Sequence, residues 1–277
     1  MTDSPRSYLS GRSGFGSDLR EACGDFLSSM RRWRLWTSLA VHDIASRYRG
    51  SVLGPFWITI TTAAMIGGVG LMYSQLLHQS LAQYIPWLAT GIVFWTLISQ
   101  MIVEGCEAFV SSGTIIKQTA LPMLSFIARM VMRNLINFSH QVVIVAAVLI
   151  YFGLWRHSNV PLCLAGLVLV MVNLGWAALA TGIVSARFRD VPQIVTALVQ
   201  ISVFITPIFW RPESIHAHRF VLEGNPFYHM LEVTRRPLLG EPVNPHSYII
   251  LILMAVVGWA IAFALFARTR RRVVHYL

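Results

Sequence analysis

Charge is scarce in this 277-residue chain: only 12% of its residues are Asp, Glu, Lys or Arg, about half the share a soluble domain carries. Lys117 is the sole lysine among 22 basic residues. A pI near 10.3 would suit a nucleic-acid partner, but that needs a solvated basic face on a charged fold, and here the arginines fall between apolar blocks. Cysteine is equally sparse. Cys23, Cys106 and Cys163 stand too far apart for a metal knuckle or a redox pair. The first 25 residues lack an apolar core, so no cleavable signal peptide is read there. No G-x-x-x-x-G-K-[ST] loop and no G-x-S-x-G elbow occurs, which removes the usual nucleotide cradle and the hydrolase nucleophile. "GFG" at 14–16 lacks a third glycine, and His216 and His218 have no carboxylate or cysteine cluster to complete a metal site. No metal and no cofactor is therefore expected on this chain.

What fills the space is apolar sequence, 55% of the chain, with a mean hydropathy of +0.60. Six windows carry no Asp, Glu, Lys or Arg: 55–77, 84–103, 134–155, 160–186, 191–210 and 247–267. Each reaches the roughly 20 residues a helix needs to cross about 30 Å of hydrocarbon. Lipid offers backbone N–H and C=O groups no partner outside their own segment, so all six are expected to be helical. The fold class is thus an all-α integral membrane protein with six transmembrane helices. With both termini on one side, 17 of the 22 Arg and Lys residues share that side, which orients N- and C-termini to the cytoplasm. "RTRRR" at 268–272 fits a stop at the cytoplasmic headgroups. Among charged or histidine side chains, only His140 lies within a span; an ion-driven carrier would be expected to show more intramembrane polarity.

The remaining segments are patterned. "RYRGSVLGPFW" (47–57) places Arg47 and Arg49 just before an uncharged run that lasts to Glu104. Before it, residues 26–46 read as an amphipathic interfacial helix, with Phe26, Met30, Trp33, Val41 and Ile44 on one face and Arg31, Arg32, His42 and Asp43 mainly opposite. Residues 1–25 are expected to be a flexible tail, 47–268 the membrane domain and 269–277 a basic tail. The loop 104–124 exposes Phe109, Ile115 and Ile116, an apolar set that needs a cover. In 211–246, Pro212 and Pro226 can each open a short helix, giving two re-entrant or outer helices before the last span. Trp57, Trp87, Trp155 and Trp210 suit the interfacial belt. Phe94, Trp95, Trp176 and Phe204 are channel-lining candidates; lipid-facing or core positions remain open for them.

Taken together, "RYRGSVLGPFW", "IIKQTALP" (115–122), "ARFRDV" (186–191), "TPIFW" (206–210) and "NPFYH" (225–229) resemble bacterial polysaccharide-export permeases of the type-2 branch of ABC transporters, over roughly residues 30–270. The resemblance implies a homodimeric channel in the bacterial cytoplasmic (inner) membrane, with two separate ATPase subunits that hold ATP and Mg. It implies a lipid-linked polysaccharide such as O-antigen, carried on undecaprenyl diphosphate, as the cargo. Arg47 and Arg49 would meet the diphosphate, although positive-inside anchoring accounts for them equally. Glu107, Phe109, Ile115, Ile116 and Lys117 would lie in the loop that receives the ATPase stroke, and Pro226, Phe227 and Tyr228 would form the outer gate. Export of drugs or small lipids is the alternative cargo. A membrane enzyme that modifies glycans is a lesser one.

Overall fold

A computed structural model describes residues 15–76, 78–119, 121–212 and 222–277. Ten α-helices with defined bounds run α1 Phe15–Arg31, α2 Trp33–Arg47, α3 Phe56–Leu76, α4 Leu81–Glu107, α5 Gly113–Gln118, α6 Leu124–Tyr151, α7 Val160–Arg187, α8 Val191–Ile205, α9 Pro226–Leu239 and α10 Pro245–Tyr276. No strand occurs among the described residues. Five helices, α3, α4, α6, α7 and α10, are long and apolar enough to cross a membrane. The fifth charge-free window contains α8, which has only 15 residues. At 1.5 Å per residue that is about 22 Å, short of a hydrocarbon core. The His216/His218 pair and most of the first expected outer helix lie outside the described residues.

Three helix starts at the end of the bundle away from α1 share one local device. Asn159, Asn225 and Asn244 each precede a helix with proline in its first turn, and each side chain accepts a backbone N–H, from Leu162, Phe227 and His246. An Asn cap satisfies one of the first turn's orphan donors, and proline removes another. At the same end, Asn159 N–H and Ser158 Oγ donate to the Pro237 and Leu238 carbonyls, where the last turn of α9 runs short of intrahelical donors. At the other end, between α2 and α3, the chain turns through Gly50 (φ 82°) and Gly54 (φ 53°), left-handed conformations that glycine adopts without penalty.

The core is built around α4, which packs on α3, α6, α7, α8 and α9. Small residues let the helices approach closely, as in membrane packing generally. A Cβ on Gly105 would stand 2.8 Å from Ala178, and one on Gly182 would stand 2.8 Å from the Gly105 carbonyl. Between α7 and α9 the fit is tighter, since a Cβ on Gly166 would lie 2.2 Å from the Val233 carbonyl oxygen. The described ends of the chain, α1 and the last turns of α10, lie together at one end of the bundle, where Arg270 Nη1 and Nη2 donate to the carbonyl and carboxylate of Glu21.

Three boundaries differ from those read in the sequence. A helix begins at Phe15, inside the segment expected to be a flexible tail, because α1 is docked: Asp25 accepts the Met123 and Leu124 N–H groups, and Ser125 Oγ donates to Ser29 Oγ. Burial raises the Asp25 carboxyl above its usual range despite those two backbone bonds. Helix α6 begins at Leu124, ten residues before the charge-free window at 134, since Arg129 and Arg133 are paired within it. Helix α10 continues past residue 267 to Tyr276, so the basic run is helical.

Gly166→Ala forces a methyl into the Val233 backbone. Overpacking of this kind costs about 1–3 kcal/mol, so a clear fall in thermal midpoint is expected for the purified variant, and an unchanged midpoint would show that α9 slides freely on α7.

Candidate functional site

The far end, opposite the termini, holds the less usual chemistry. After α8 the backbone leaves the helix through Thr206–Arg211, still deep in the bundle, with Thr206, Pro207 and Ile208 buried. Carbonyl groups freed in such a break must find donors, and three side chains supply them. Arg235 Nη1 donates to the Pro207 carbonyl at 2.8 Å, Tyr84 Oη to Phe209 at 2.9 Å, and Trp87 Nε1 to Trp210 at 3.3 Å. Arg235 is fully buried, and its guanidinium carbon stands 3.3 Å from the Trp87 ring centroid, while that of Arg211 stands 5.0 Å away. Stacking on an aromatic face suits a planar guanidinium. A Cβ on Gly91 would meet both the Ile208 carbonyl and Arg235, so that glycine keeps the seat open.

The helix α9 that delivers Arg235 is itself anchored by polar groups. Asn225 Nδ2 donates to Thr206 Oγ1 at 3.0 Å. Buried His229 meets the Glu223 carbonyl through Nε2 and Ser247 Oγ through Nδ1, both at 2.9 Å; the carbonyl can only accept, so Nε2 donates to it. Buried Glu232 pairs with Arg236 at 2.7 Å. Of the gate residues expected from sequence, Pro226 is in the first turn of α9, Phe227 meets Trp95 edge-on with ring centroids 5.4 Å apart, and Tyr228 is half-buried beside His229.

At the termini end, an ion-pair cluster ties α2, α4 and α6 together. Arg129 donates Nε and Nη2 to the two oxygens of Asp43. Arg133 reaches Asp43 through Nη1 at 3.2 Å and Glu104 through Nη2 at 2.7 Å, and Asn134 Nδ2 adds a bond to Glu104 at 2.8 Å. Burial alone would raise the Asp43 carboxyl; the bond and charge of Arg129, with Arg133, outweigh it and hold it below the usual range.

Several expectations take a different form here. Trp87, read as part of the interfacial belt, is completely buried, because its ring and N–H serve the break. Phe109 and Ile116, read as an exposed apolar set awaiting a partner, are covered by the chain itself: Phe109 lies against Gly182 of α7 and is fully buried, and Ile116 is 8% exposed. Exposed residues of that loop include Glu107 and Lys117, with Ile115 half-buried. Phe94 packs on Phe138 in the core, Trp176 is wedged against Gly258, and Phe204 is 74% exposed on α8. Arg47 and Arg49 are exposed at the end of α2 and in the following turn. The Asp43, Glu104, Arg129, Arg133 and Arg235 roles escaped sequence reasoning. Their one signal was the placing of charge where a charge-free helix end would have served.

These features define a multi-pass helical membrane protein whose polar side chains hold a broken helix at one end and an ion-pair cluster at the other. Residues 34–239 match the ABC-2 type transporter family, and the chain belongs to that family. It is 24% identical over 203 residues to the O-antigen export system permease protein RfbA of Myxococcus xanthus, an alignment covering 71% of this chain and 77% of that one. Helices α1 and α10 lie outside the family-matched stretch.

Replacing Arg235 with Leu leaves the Pro207 carbonyl without its donor inside the bundle. A loss of about 1–3 kcal/mol is expected for one stranded buried group, read as a lowered thermal midpoint. Arg235→Lys should recover only part of it, because an ammonium lacks the flat face that stacks on Trp87. Full recovery by Lys would exclude the stacking contribution.

Proposed function

We propose that this chain is the channel-forming subunit of an ABC exporter that moves a lipid-linked polysaccharide, with O-antigen on undecaprenyl diphosphate as the model cargo, out across the bacterial cytoplasmic membrane. Two copies form the channel, and two separate ATPase subunits bind ATP and Mg and dock at the termini end, on the cytoplasmic side. The single observation that carries this reading is the family match, joined to a relative named for O-antigen export over most of both lengths.

In this reading the docking surface is the turn and short helix around α5. Exposed Glu107 and Lys117 provide its polar contacts. Phe109, seated on Gly182, passes a displacement of the turn directly into α7. Helix α8 completes the sixth span together with the break that follows it. Phe204, exposed on α8, and Trp95, in contact with Phe227, supply aromatic surface for a sugar chain to slide along; flat rings offer large contact area at low entropic cost. Opening of the far end then requires the Thr206–Arg211 break to exchange or carry its donors Arg235, Tyr84 and Trp87. Arg47 and Arg49 stand where a diphosphate would enter.

The test is reconstitution of the chain with its cognate ATPase in proteoliposomes. ATP-dependent appearance of a lipid-linked glycan on the far side is expected, and Glu107→Arg with Lys117→Glu should lower transport by about tenfold or more while leaving the protein folded. Equal transport of small drugs or short lipids, with no response to the glycan carrier, would overturn the cargo assignment. An intact chain that never co-purifies with an ATPase would overturn the exporter reading as a whole.

A further inference from the structure

Beneath the turn joining α4 to α5 lies a cavity of about 130 Å³, lined by Ala108, Ser111, Ser112, Phe126, Arg129, Met130 and Arg133. The four α6 residues recur at i, i+3, i+4 and i+7, which places them on one helix face. Phe126 and Met130 are buried and form an apolar floor. The two arginines form a wall, and Ser111 and Ser112 line the side made by the turn. The volume equals the space of about four waters.

The guanidinium groups are held in place by carboxylates from other helices. Asp43 of α2 takes Nε and Nη2 of Arg129, while Glu104 of α4 takes Nε and Nη2 of Arg133. Arg129 therefore keeps Nη1 outside the network. Two oriented forks, that of Arg129 with a spare nitrogen, two hydroxyls and a small cavity partly open to the outside suit the tetrahedral oxygens of a phosphoryl group, which guanidinium binds through parallel N–H bonds. Depth agrees. Arg129 and Arg133 occupy the first ten residues of α6, and the uncharged stretch of that helix starts immediately after them, so they stand where lipid headgroups begin. Arg47, exposed, follows Asp43 by one helical turn on α2 and extends the basic surface outward.

We propose that this cavity is a binding site for the phosphoryl group of a membrane lipid, in which the lipid phosphate competes with Asp43 for Arg129. Its assignment to the diphosphate of a glycan carrier, rather than to an ordinary phospholipid, rests on the exporter reading above. Occupancy loosens the Asp43 contact, and with it the seat of α2 on α6.

Binding to the purified full-length chain in maltoside micelles, which contain no phosphate, tests this by titration calorimetry with inorganic pyrophosphate, farnesyl diphosphate, farnesol and phosphatidylglycerol. Pyrophosphate and farnesyl diphosphate are expected to bind and farnesol not. Ser111→Trp fills the cavity from an exposed position while leaving Asp43, Glu104 and both arginines in place, and should weaken binding at least tenfold with a thermal midpoint close to the parent's. Asp43→Asn should tighten it about threefold or more by releasing Arg129. No binding of pyrophosphate, or a Ser111→Trp variant that binds like the parent, would overturn the site; weaker binding in Asp43→Asn would overturn the competition. Phosphatidylglycerol binding as well as farnesyl diphosphate would uphold the site and overturn its assignment to the carrier. Glycan transport failing while farnesyl diphosphate still binds would count against the exporter reading and leave the site standing.

Discussion

A backbone that stops being helical in a nonpolar surrounding must borrow hydrogen-bond partners from side chains, and much of this molecule is arranged around one such debt at Thr206–Arg211. Each unmet carbonyl there would cost about 1–3 kcal/mol. Arg235, Tyr84 and Trp87 meet three of them, and each donor imposes requirements of its own. Arg235 needs a polarised seat, which the Trp87 ring and the Pro207 carbonyl provide. Trp87 has to be internal, so α4 starts with its aromatic residues facing the bundle. Gly91 has to lack a side chain, and Gly166 has to let α9 come close enough to α7 for Arg235 to reach. A fully buried arginine is otherwise an expensive choice; here it is the donor whose reach and flat shape the break demands.

The two ends of the bundle solve opposite problems. At the far end, neutral dipoles and one guanidinium lock a peptide segment, with little exposure to water. At the termini end, carboxylates and guanidinium groups from three helices share a partly exposed cluster, where pairing is individually modest and the value lies in joining α2, α4 and α6. Between them the α4–α7 crossing is closed by Gly105, Ala178 and Gly182. A load applied to the turn above Phe109 therefore meets a stiff contact rather than a loose loop.

Much of this architecture can be read before any coordinates. The windows 55–77 and 160–186 sit within a residue of Phe56–Leu76 and Val160–Arg187, because those helices are bounded by glycine-proline, asparagine-proline or arginine signals. The window at 134 misses the start of α6 because counting charges cannot distinguish an arginine that ends a helix from one neutralised inside it by Asp43 or Glu104. Trp87 was misplaced, and the role of Arg235 escaped notice, for a related reason. Trp suits a headgroup boundary and Arg a loop, and only their mutual distance of 3.3 Å reveals a shared interior role. Pairings between residues far apart in the chain leave no periodic trace.

The docking of α1 also carries a timing consequence. Asp25 grips the backbone at Met123 and Leu124, 98 and 99 residues onward, and Glu21 is held by Arg270, 249 residues onward. Helix α1 thus has its anchors spread along the sequence, one at the start of α6 and one near the end of α10. The two seats arise separately: the N–H groups at the start of α6 are available once that helix has formed, and Arg270 only once α10 is present. A fully seated α1 therefore reports the presence of α10, because no product lacking that helix can form the contact with Arg270.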